Sequence, residues 1–363
     1  MKFTRTMTFA LATLVATAFA HAEDRVVNVY NWSDYIDDSI IKDFEKETGI
    51  KVVYDVFDSN EILETKLLAG SSGYDVVVPT AIFLARQIQA GVFQKLDKSK
   101  LPNLKNMWDV VSERTAIYDP GNEYSINYMW GTTGIGYNKA KVKERLGTDQ
   151  IDSWKTVFDP EQAKKLADCG IYMLDSPTDI LPSVLKYLGL NPDSKSAEDL
   201  AKAEEAMLAI RPYVRKFHSS EYINALANGD ICVAVGWSGD IFQARNRAAE
   251  AKQGVDVGYA VPKEGALMWF DQMAIPADAQ HVEEAHEFLN YIMRPDVAAK
   301  ASNYVVYANG NKASQEMIDK AITSDPAVYP DEATLANLFT TTPTNPKEQR
   351  VVTRVWAKVV TGQ

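Results

Sequence analysis

The sequence predicts an α/β protein of two lobes, and three observations support this fold class. Short apolar runs alternate with stretches of helical spacing over residues 26–91 and again from residue 170. Strands that alternate with helices favour mainly parallel sheets joined by right-handed crossovers. The chain has 363 residues, which favours two lobes over one. A glycine-rich run, YMWGTTGIGYN, interrupts this alternation of strands and helices and is a candidate crossing between the lobes.

The first lobe is predicted to open with a strand at residues 26–30. A helix over DSIIKDFEKET follows, with Gly49 as its stop signal. The next elements are a strand over IKVVYDVF and a helix that begins at the N-cap residue Ser59. A short buried strand, YDVVVP, and a helix over AIFLARQIQAG complete this part of the chain.

The second lobe repeats the pattern. Its predicted elements are the strand GIYML, the helix DILPSVLKYLG, a long helix at 197–210, the helix SSEYINALANG, the strand DICVAVGW and a helix at 240–252. Two extended segments over VGYAVPKEGALMWFDQMAIP return the chain to the first lobe. A helical stretch then breaks at Arg294–Pro295, and shorter helices follow from Tyr304. We therefore expect lobe 1 to comprise residues 26–131 and 256–303, and lobe 2 to comprise residues 132–255 and 304–363.

The first 22 residues have the pattern of a secretory signal peptide. Lys2 and Arg5 precede an apolar run, and Ala20-His21-Ala22 forms an A-x-A cleavage site. Cleavage is expected after Ala22. The apolar run is shorter than a membrane-spanning helix, so the mature protein is expected to be exported.

The composition restricts the partners and the redox state. Asp and Glu number 49 against 38 Lys and Arg, and this acidic balance argues against a nucleic-acid partner. The two cysteines, Cys169 and Cys232, are predicted to form a disulfide, because exported proteins reside in oxidising compartments. Two buried free thiols are the alternative, because both cysteines adjoin apolar runs.

The ends of the predicted strands carry the candidate site. Open parallel sheets bind ligands beyond the carboxyl ends of their strands. Three aromatic–acid pairs occur at such positions: Trp32 with Asp34, Trp237 with Asp240, and Trp269 with Asp271. Polar residues follow other strands at Thr80 and at Asp175–Ser176, with Asp179 one helical turn further on.

Each pair alone is also explained by ordinary packing, since a Trp in this position often belongs to the core and an Asp often caps a helix. Three pairs at one topological position favour a ligand. A carboxylate binds an ammonium group by a charge-assisted hydrogen bond, and an aromatic face attracts the cation. The pattern therefore indicates an organic cation with more than one charge.

Other chemistries have little support in the sequence. His281 and His286 are five residues apart, which fits neither helical spacing of a metal-binding pair, and no metal or cofactor is predicted. The segment GWSGD lacks the spacing of a hydrolase nucleophile elbow. Two suitably placed aspartates would still serve a hydrolase, so that enzyme class stays open as an alternative.

Several long blocks resemble the periplasmic putrescine/spermidine-binding proteins of bacterial ABC transporters. These blocks are VYNWSDYI, FEKETGIKVVYDVFDSNE, LLAGSSGYDVVVPT, YMWGTTGIGYN, FHSSEYINALANGDICVAVGWSGD and VPKEGALMWFDQMAIP. The resemblance implies a type II periplasmic-binding fold, two lobes with a hinged cleft, and binding without catalysis. It also implies a periplasmic location, a monomer, and delivery of a polyamine to an inner-membrane ABC permease.

The resemblance also assigns site residues. It implies an aromatic box of Trp32, Tyr35, Trp237, Trp269 and Tyr307, ammonium-binding acids Asp34, Asp179, Asp240 and Asp271, and polar wall residues Ser33 and Thr80. Ser176 joins the candidate site because it follows a predicted strand. Tryptophan at position 269 is the residue of spermidine-preferring relatives, where putrescine-preferring ones have Phe. The chain departs from some spermidine-binding relatives at Ser176, where they carry an acid, and at Ile82, where they carry an aromatic residue.

We therefore expect a polyamine-binding protein that prefers spermidine to putrescine. A binding protein for putrescine or for another organic cation such as agmatine is the alternative within the same class. A periplasmic hydrolase that uses cleft aspartates is the alternative of another class.

Overall fold

The structure is a computed structural model that describes residues 25–363, so the predicted signal peptide and its cleavage site lie outside the described residues. The strands are β1 (Val26–Trp32), β2 (Lys51–Phe57), β3 (Val76–Val77), β4 (Ser125–Asn138), β5 (Ile171–Met173), β6 (Val214–Phe217), β7 (Val233–Trp237), β8 (Val257–Ala260), β9 (Leu267–Ala274) and β10 (Ala308–Asn309).

The α-helices are α1 (Asp38–Thr48), α2 (Asn60–Leu68), α3 (Ala81–Gln89), α4 (Asp109–Thr115), α5 (Lys139–Leu146), α6 (Lys155–Phe158), α7 (Pro160–Leu166), α8 (Pro177–Tyr187), α9 (Ala197–Ile210), α10 (Tyr222–Ala227), α11 (Ser238–Ala251), α12 (Val282–Ile292), α13 (Pro295–Val305), α14 (Lys320–Thr323), α15 (Glu332–Asn337) and α16 (Pro346–Thr361). Four short 3₁₀ helices lie at Lys98–Lys100, Pro102–Asn106, Arg211–Tyr213 and Lys312–Ser314.

The strands form a sheet with the order β2-β1-β3-β9-β4-β7-β5-β6. The outer parts are parallel, as predicted: β1 pairs with β2 and β3, and β5 pairs with β6 and β7. The middle is antiparallel, because β4 runs opposite to β7, β8, β9 and β10. The predicted α/β fold class is confirmed, with parallel pairing in the two outer parts and an antiparallel centre where the two halves join.

Strand β4 connects the two halves of the molecule. Its first part pairs with β9 and its second part with β7 and β8, and all of its residues are buried. The glycines of the run YMWGTTGIGYN lie within β4 and do not interrupt it. At Gly134 a Cβ atom would lie 2.5 Å from the carbonyl oxygen of Ala260, so glycine is needed for the close approach of β8.

Two large apolar cores lie on either side of this crossing. One contains residues of β1, α1, β3 and α12, and the other contains residues of β5, α8, α9 and α16. Val257 and Ala260 of β8 pack into the second core. The predicted lobe bounds, 26–131 with 256–303 and 132–255 with 304–363, stay a prediction.

Local capping signals explain several helix boundaries. Ser59 accepts a hydrogen bond from the backbone N–H of Ile62 at the start of α2, and Gly49 ends α1 in the left-handed conformation. The helix predicted at residues 197–210 is α9. The predicted interruption of the later helix at Arg294–Pro295 lies between α12 and α13. The expectation of only shorter helices after Tyr304 is wrong, because α16 has 16 residues.

The cysteines form the predicted disulfide. Cys169 precedes β5 and Cys232 precedes β7, and their Cα atoms are 5.5 Å apart. Because β5 and β7 are adjacent parallel strands, the bond fixes the start of both. Over residues 25–363, no helix combines the length and the apolar character needed to span a membrane.

Candidate ligand-binding site

One cavity lies where the ends of strands from both halves meet. Strand β1 leads into residues 33–35, β7 leads directly into α11, and β9 crosses the same region. Ten of the twelve predicted site residues line this cavity: Trp32, Ser33, Tyr35, Thr80, Asp179, Trp237, Asp240, Trp269, Asp271 and Tyr307. Residues that are up to 275 positions apart, Trp32 and Tyr307, are thereby brought to one place.

Asp271 lies on β9 with its carboxylate buried. It accepts hydrogen bonds of 2.7 Å from the hydroxyls of Tyr35 and Thr80. The Thr80 hydroxyl in turn accepts a hydrogen bond from the Asn60 amide at the start of α2. Burial raises the pKa of Asp271 to about 7, against the lowering effect of the two hydroxyls.

Asp240 lies in the first turn of α11, which begins immediately after β7. Its carboxylate accepts hydrogen bonds from the hydroxyls of Tyr222, at 2.7 Å, and Tyr307, at 2.9 Å. Burial raises the pKa of Asp240 to about 6. Arg247 lowers this pKa from a distance, but its guanidinium donates its hydrogen bonds to Asp34 and Asn224 instead.

Asp179 lies in the first turn of α8 and is held by three donors. The Thr133 and Ser176 hydroxyls donate at 2.5 Å, and the Trp237 indole N–H donates at 3.2 Å. Burial raises the pKa of this carboxyl above its usual value, although these hydrogen bonds oppose the effect.

The three carboxylates create a site that requires positive charge. Within residues 25–363, none of Asp179, Asp240 and Asp271 forms an ion pair with Lys, Arg or His. Asp179 and Asp240 both raise the pKa of Asp271 by repulsion. A buried carboxylate without a positively charged neighbour is unfavourable, so the protonated form is favoured, and a cation placed in this cavity would stabilise the ionised form.

Aromatic rings form the walls between these acids. The Trp32 and Trp237 rings meet edge to face with centroids 5.4 Å apart, and the Trp269 and Tyr307 rings meet at 5.3 Å. Tyr35 packs against Tyr307 at 5.4 Å. These contacts fix the ring orientations, so the faces that line the cavity are preorganised for a cation and its methylene groups.

The position of Trp269 depends on a glycine of the adjacent strand. A Cβ atom at Gly131 would lie 2.8 Å from the Trp269 ring, so only glycine leaves room for the indole. The indole N–H of Trp269 is buried and has no hydrogen-bond acceptor among residues 25–363. The Trp32 indole differs, because it donates to the carbonyl oxygen of Val78 at 2.8 Å.

Two predicted site residues do not line the cavity. Asp34 has a left-handed backbone conformation, with φ of 56°, and its carboxylate accepts a 2.7 Å hydrogen bond from Arg247 of α11. Ser176 contacts two residues that do line the cavity, through hydrogen bonds to the Asp179 carboxylate and the Thr178 hydroxyl. The role predicted for Asp34 as an ammonium ligand stays a prediction.

Other residues of the site were not predicted from the sequence. Tyr222 supports Asp240, but a buried Tyr on a helix has the same pattern as a core residue. Thr133 supports Asp179, and a polar residue inside the buried run of β4 is a signal that could have identified it. Within the described residues, no group of three or more acidic, His or Cys side chains is placed to hold a metal ion.

The fold and this cavity define a class of protein, the two-lobed solute-binding proteins of type II. Residues 39–330 match the sequence profile of a family described as bacterial extracellular solute-binding protein. The chain belongs to this family, and the match confirms the family resemblance carried by the sequence blocks.

Named relatives cover nearly the whole chain. The chain is 53% identical to the putrescine-binding periplasmic protein SpuD of Pseudomonas aeruginosa, over 98% of each chain. It is also 53% identical to the putrescine-binding periplasmic protein PotF of Escherichia coli, over 94% of this chain and 93% of the other. These relatives are periplasmic binding proteins, and the chain is accordingly a periplasmic binding protein and not an enzyme.

A solved structure supports the fold at high coverage. A putative spermidine/putrescine ABC transporter protein from Listeria monocytogenes superimposes with a TM-score of 0.81 at 33% identity. The comparison covers 92% of this chain and 98% of the other.

Proposed function

We propose that this protein captures a polyamine in its central cavity for import by an ABC transporter, and that it prefers spermidine to putrescine. The observation that carries this proposal is the set of three buried carboxylates, from Asp179, Asp240 and Asp271, without a cationic partner among residues 25–363. A linear polyamine supplies separate ammonium groups for separate carboxylates, and its methylene groups fit between aromatic walls.

The mechanism is binding coupled to closure of the cleft. Asp271 and Tyr35 contact each other from β9 and the loop after β1, whereas Asp240 and Tyr222 belong to the other half. A ligand that bridges these carboxylates gains its full set of contacts only when the two lobes are together. Its binding therefore shifts the hinge equilibrium towards the closed state.

The preference for spermidine follows from charge and from Trp269. Spermidine has three ammonium groups and putrescine has two, so spermidine neutralises all three carboxylates. With putrescine, one carboxyl retains a proton. Trp269 lies two residues from Asp271 on the same strand and also lines the cavity. Its large aromatic face is available to the middle of the bound polyamine. One such contact contributes roughly 0.5–2 kcal/mol.

Putrescine is the second candidate as the preferred ligand. The two relatives with 53% identity are both named for putrescine, and a further relative with 43% identity is named a putrescine/agmatine-binding protein. Ser176 and Ile82, where some spermidine-binding relatives have an acid and an aromatic residue, also favour a smaller ligand.

Isothermal titration calorimetry on the refolded, ligand-free protein tests the proposal. Putrescine, spermidine, agmatine and lysine are compared at one pH and one ionic strength. We expect both polyamines to bind and spermidine to bind more tightly. If putrescine binds more tightly, the preference is wrong while the polyamine function stands. If neither polyamine binds, the proposed function is wrong.

The remaining parts of the proposal concern export and assembly. The protein is exported with cleavage after Ala22, acts as a monomer, and delivers its ligand to an inner-membrane permease. Mass spectrometry of the periplasmic protein checks the cleavage site, and light scattering with and without spermidine checks the monomeric state. Uptake of labelled spermidine by a strain that lacks the protein checks delivery.

A further inference from the structure

A second cavity, here called the outer pocket, adjoins the central one. Asp58, at the end of β2, and Ser219, after β6, line both cavities. The outer pocket continues between α2 of one half and the start of α8 and α16 of the other. A ligand that is too long for the central cavity would therefore extend past Asp58 and Ser219 into this space.

The outer pocket is acidic on both sides. Asp58 and Glu61 come from one half and Asp175 from the other. Within residues 25–363 none of the three carboxylates forms an ion pair, and Asp175 accepts a hydrogen bond of 2.8 Å from the indole N–H of Trp356. Three carboxylates are thus available to an incoming cation.

An unpartnered buried hydroxyl lies at the junction of the two cavities. Ser219 is 6% exposed, and its hydroxyl has no hydrogen-bond partner in the described part of the chain. A buried hydroxyl without a partner is unfavourable, and its oxygen accepts a hydrogen bond from an ammonium group. This feature is independent of the acidic residues and indicates a ligand that passes from one cavity to the other.

Aromatic side chains form the wall of the outer pocket opposite α2. The rings of Phe217 and Trp356 pack edge to face with centroids 5.4 Å apart. They provide a flat apolar surface for methylene groups, as the rings of the central cavity do. The outer pocket thus repeats the combination of rings and carboxylates.

The neighbouring basic groups do not compete for these acids. Arg86 lowers the pKa of Glu61, but its guanidinium forms two hydrogen bonds to Glu64 and one to Gln349. The Nδ1 atom of His218 accepts a hydrogen bond from the backbone N–H of Ser220, and its Nε2 atom lies 3.4 Å from the Glu221 carboxylate, outside the three acids of the outer pocket. Burial raises the pKa of Glu61 to about 7, which a bound cation would reverse.

We propose that the outer pocket is a second ammonium subsite, formed by Asp58, Glu61, Asp175 and Ser219 against Trp356. It holds the far end of a linear polyamine longer than the central cavity, of which the tetraamine spermine is the test case. The proposal rests on the proposed function, because the near end of the same ligand occupies the central cavity.

The test is calorimetry with spermine and putrescine on the full mature chain. The variant is Glu61→Gln with Asp175→Asn, since both residues line only the outer pocket and both substitutions keep the shape of the side chain. The matched control is Glu205→Gln with Glu316→Gln, which removes two exposed carboxylates elsewhere. We expect the outer-pocket variant to lose about tenfold in spermine affinity, with putrescine affinity within twofold of wild type.

The outcomes separate this inference from the proposed function. If the outer-pocket variant weakens spermine and putrescine equally, or no more than the control does, the outer subsite is wrong. Failure of wild type to bind spermine while it binds putrescine also overturns the subsite and leaves the polyamine function intact. If wild type binds no polyamine at all, the proposed function is wrong, and the outer subsite, which rests on it, is wrong as well. A crystal structure of the spermine complex with density for an ammonium beside Glu61 and Asp175 would support the subsite directly.

Discussion

At the scale of single residues, the proposed site depends on buried carboxylates that form no ion pair within residues 25–363. Asp240 and Asp271 are held by tyrosine and threonine hydroxyls, which orient the carboxylates but do not neutralise them. Hydroxyl donors suit this purpose because they stabilise the ionised form and leave the carboxylate available for an ammonium. In the proposed function, the ammonium groups of the ligand neutralise this charge.

Replacing Asp240 by Asn is expected to weaken spermidine binding by a factor of 100 or more. Removal of one partner from a buried ion pair costs about 3–5 kcal/mol, because the ammonium is left without a counter-charge. Calorimetry measures the loss, and thermal unfolding of the ligand-free variant should show a midpoint equal to or above that of wild type, because the buried ionised carboxylate is itself unfavourable. If the empty protein is destabilised and binding hardly changes, Asp240 serves mainly as a helix-capping residue.

Replacing Trp269 by Phe is expected to weaken spermidine binding more than putrescine binding. The expected difference is roughly 1–2 kcal/mol, the contribution of one desolvated cation–π contact. Trp108→Phe is the matched control, because Trp108 lies outside the central cavity. Equal weakening of both ligands would show that Trp269 is a wall without a role in selectivity.

At the scale of elements, strand ends and helix starts position the acids. Asp179 and Asp240 each lie in the first turn of a helix, α8 and α11, while Asp271 lies within the central antiparallel strand β9. The first two are thereby fixed by helices that begin at the cleft. Their positions depend on the β5–β7 pair, whose starts the disulfide joins.

The disulfide is expected to stabilise the second half without contributing to affinity. By the loop-entropy relation, a closed loop of 63 residues corresponds to about 4 kcal/mol. The double variant Cys169→Ala with Cys232→Ala should unfold several degrees lower than wild type and bind spermidine within a few fold of wild type. Thiol titration of the denatured, unreduced wild-type protein should find no free thiol, and two free thiols would contradict the bond.

At the scale of the whole molecule, the buried acids link binding and stability to pH. The pKa of Asp240 is raised to about 6 and that of Asp271 to about 7, both from an ordinary value of 3.8. The empty folded protein therefore binds more protons than the unfolded chain between about pH 4 and pH 7. The stability contributed by these groups is full below pH 4 and is lost as the pH rises through the folded pKa values.

Spermidine affinity is expected to increase with pH from 5 to 8. The ligand binds the ionised carboxylates, so protons must leave, and each released proton changes the affinity by up to about tenfold per pH unit. Calorimetry in buffers of different ionisation enthalpy counts the protons, and spermidine should release more of them than putrescine. Asp271→Asn should flatten the pH profile, and an unchanged profile in that variant would exclude Asp271 as the linked group.

The ligand-free protein is expected to be less stable at pH 8 than its Asp271→Asn variant. The amide removes a carboxylate that is costly when ionised and buried, so its benefit should appear at pH 8 and vanish near pH 4. Thermal unfolding of both proteins at the two pH values measures the difference. Loss of stability on substitution at pH 8 would show that the hydrogen bonds from Tyr35 and Thr80 outweigh the cost of the charge.

The sequence by itself determined the α/β class, most of the helices, the disulfide and the grouping of ten candidate residues around one cavity. These features depend on local periodicity, on capping residues such as Ser59, and on the rule that ligands bind beyond the carboxyl ends of strands. Aromatic and acidic residues that are close in sequence, such as Trp269 and Asp271, both line the cavity. The sequence could predict this because residues close along a strand stay close after folding.

Only the tertiary structure decided which acids face the cavity and what holds them. Asp34 follows a strand as Asp240 does, but its left-handed backbone and its hydrogen bond with Arg247 take it out of the cavity. The support of Asp240 by Tyr222 and the antiparallel pairing of β4 join residues that are distant along the chain. No local pattern encodes such contacts, because they depend on how separate elements pack against one another.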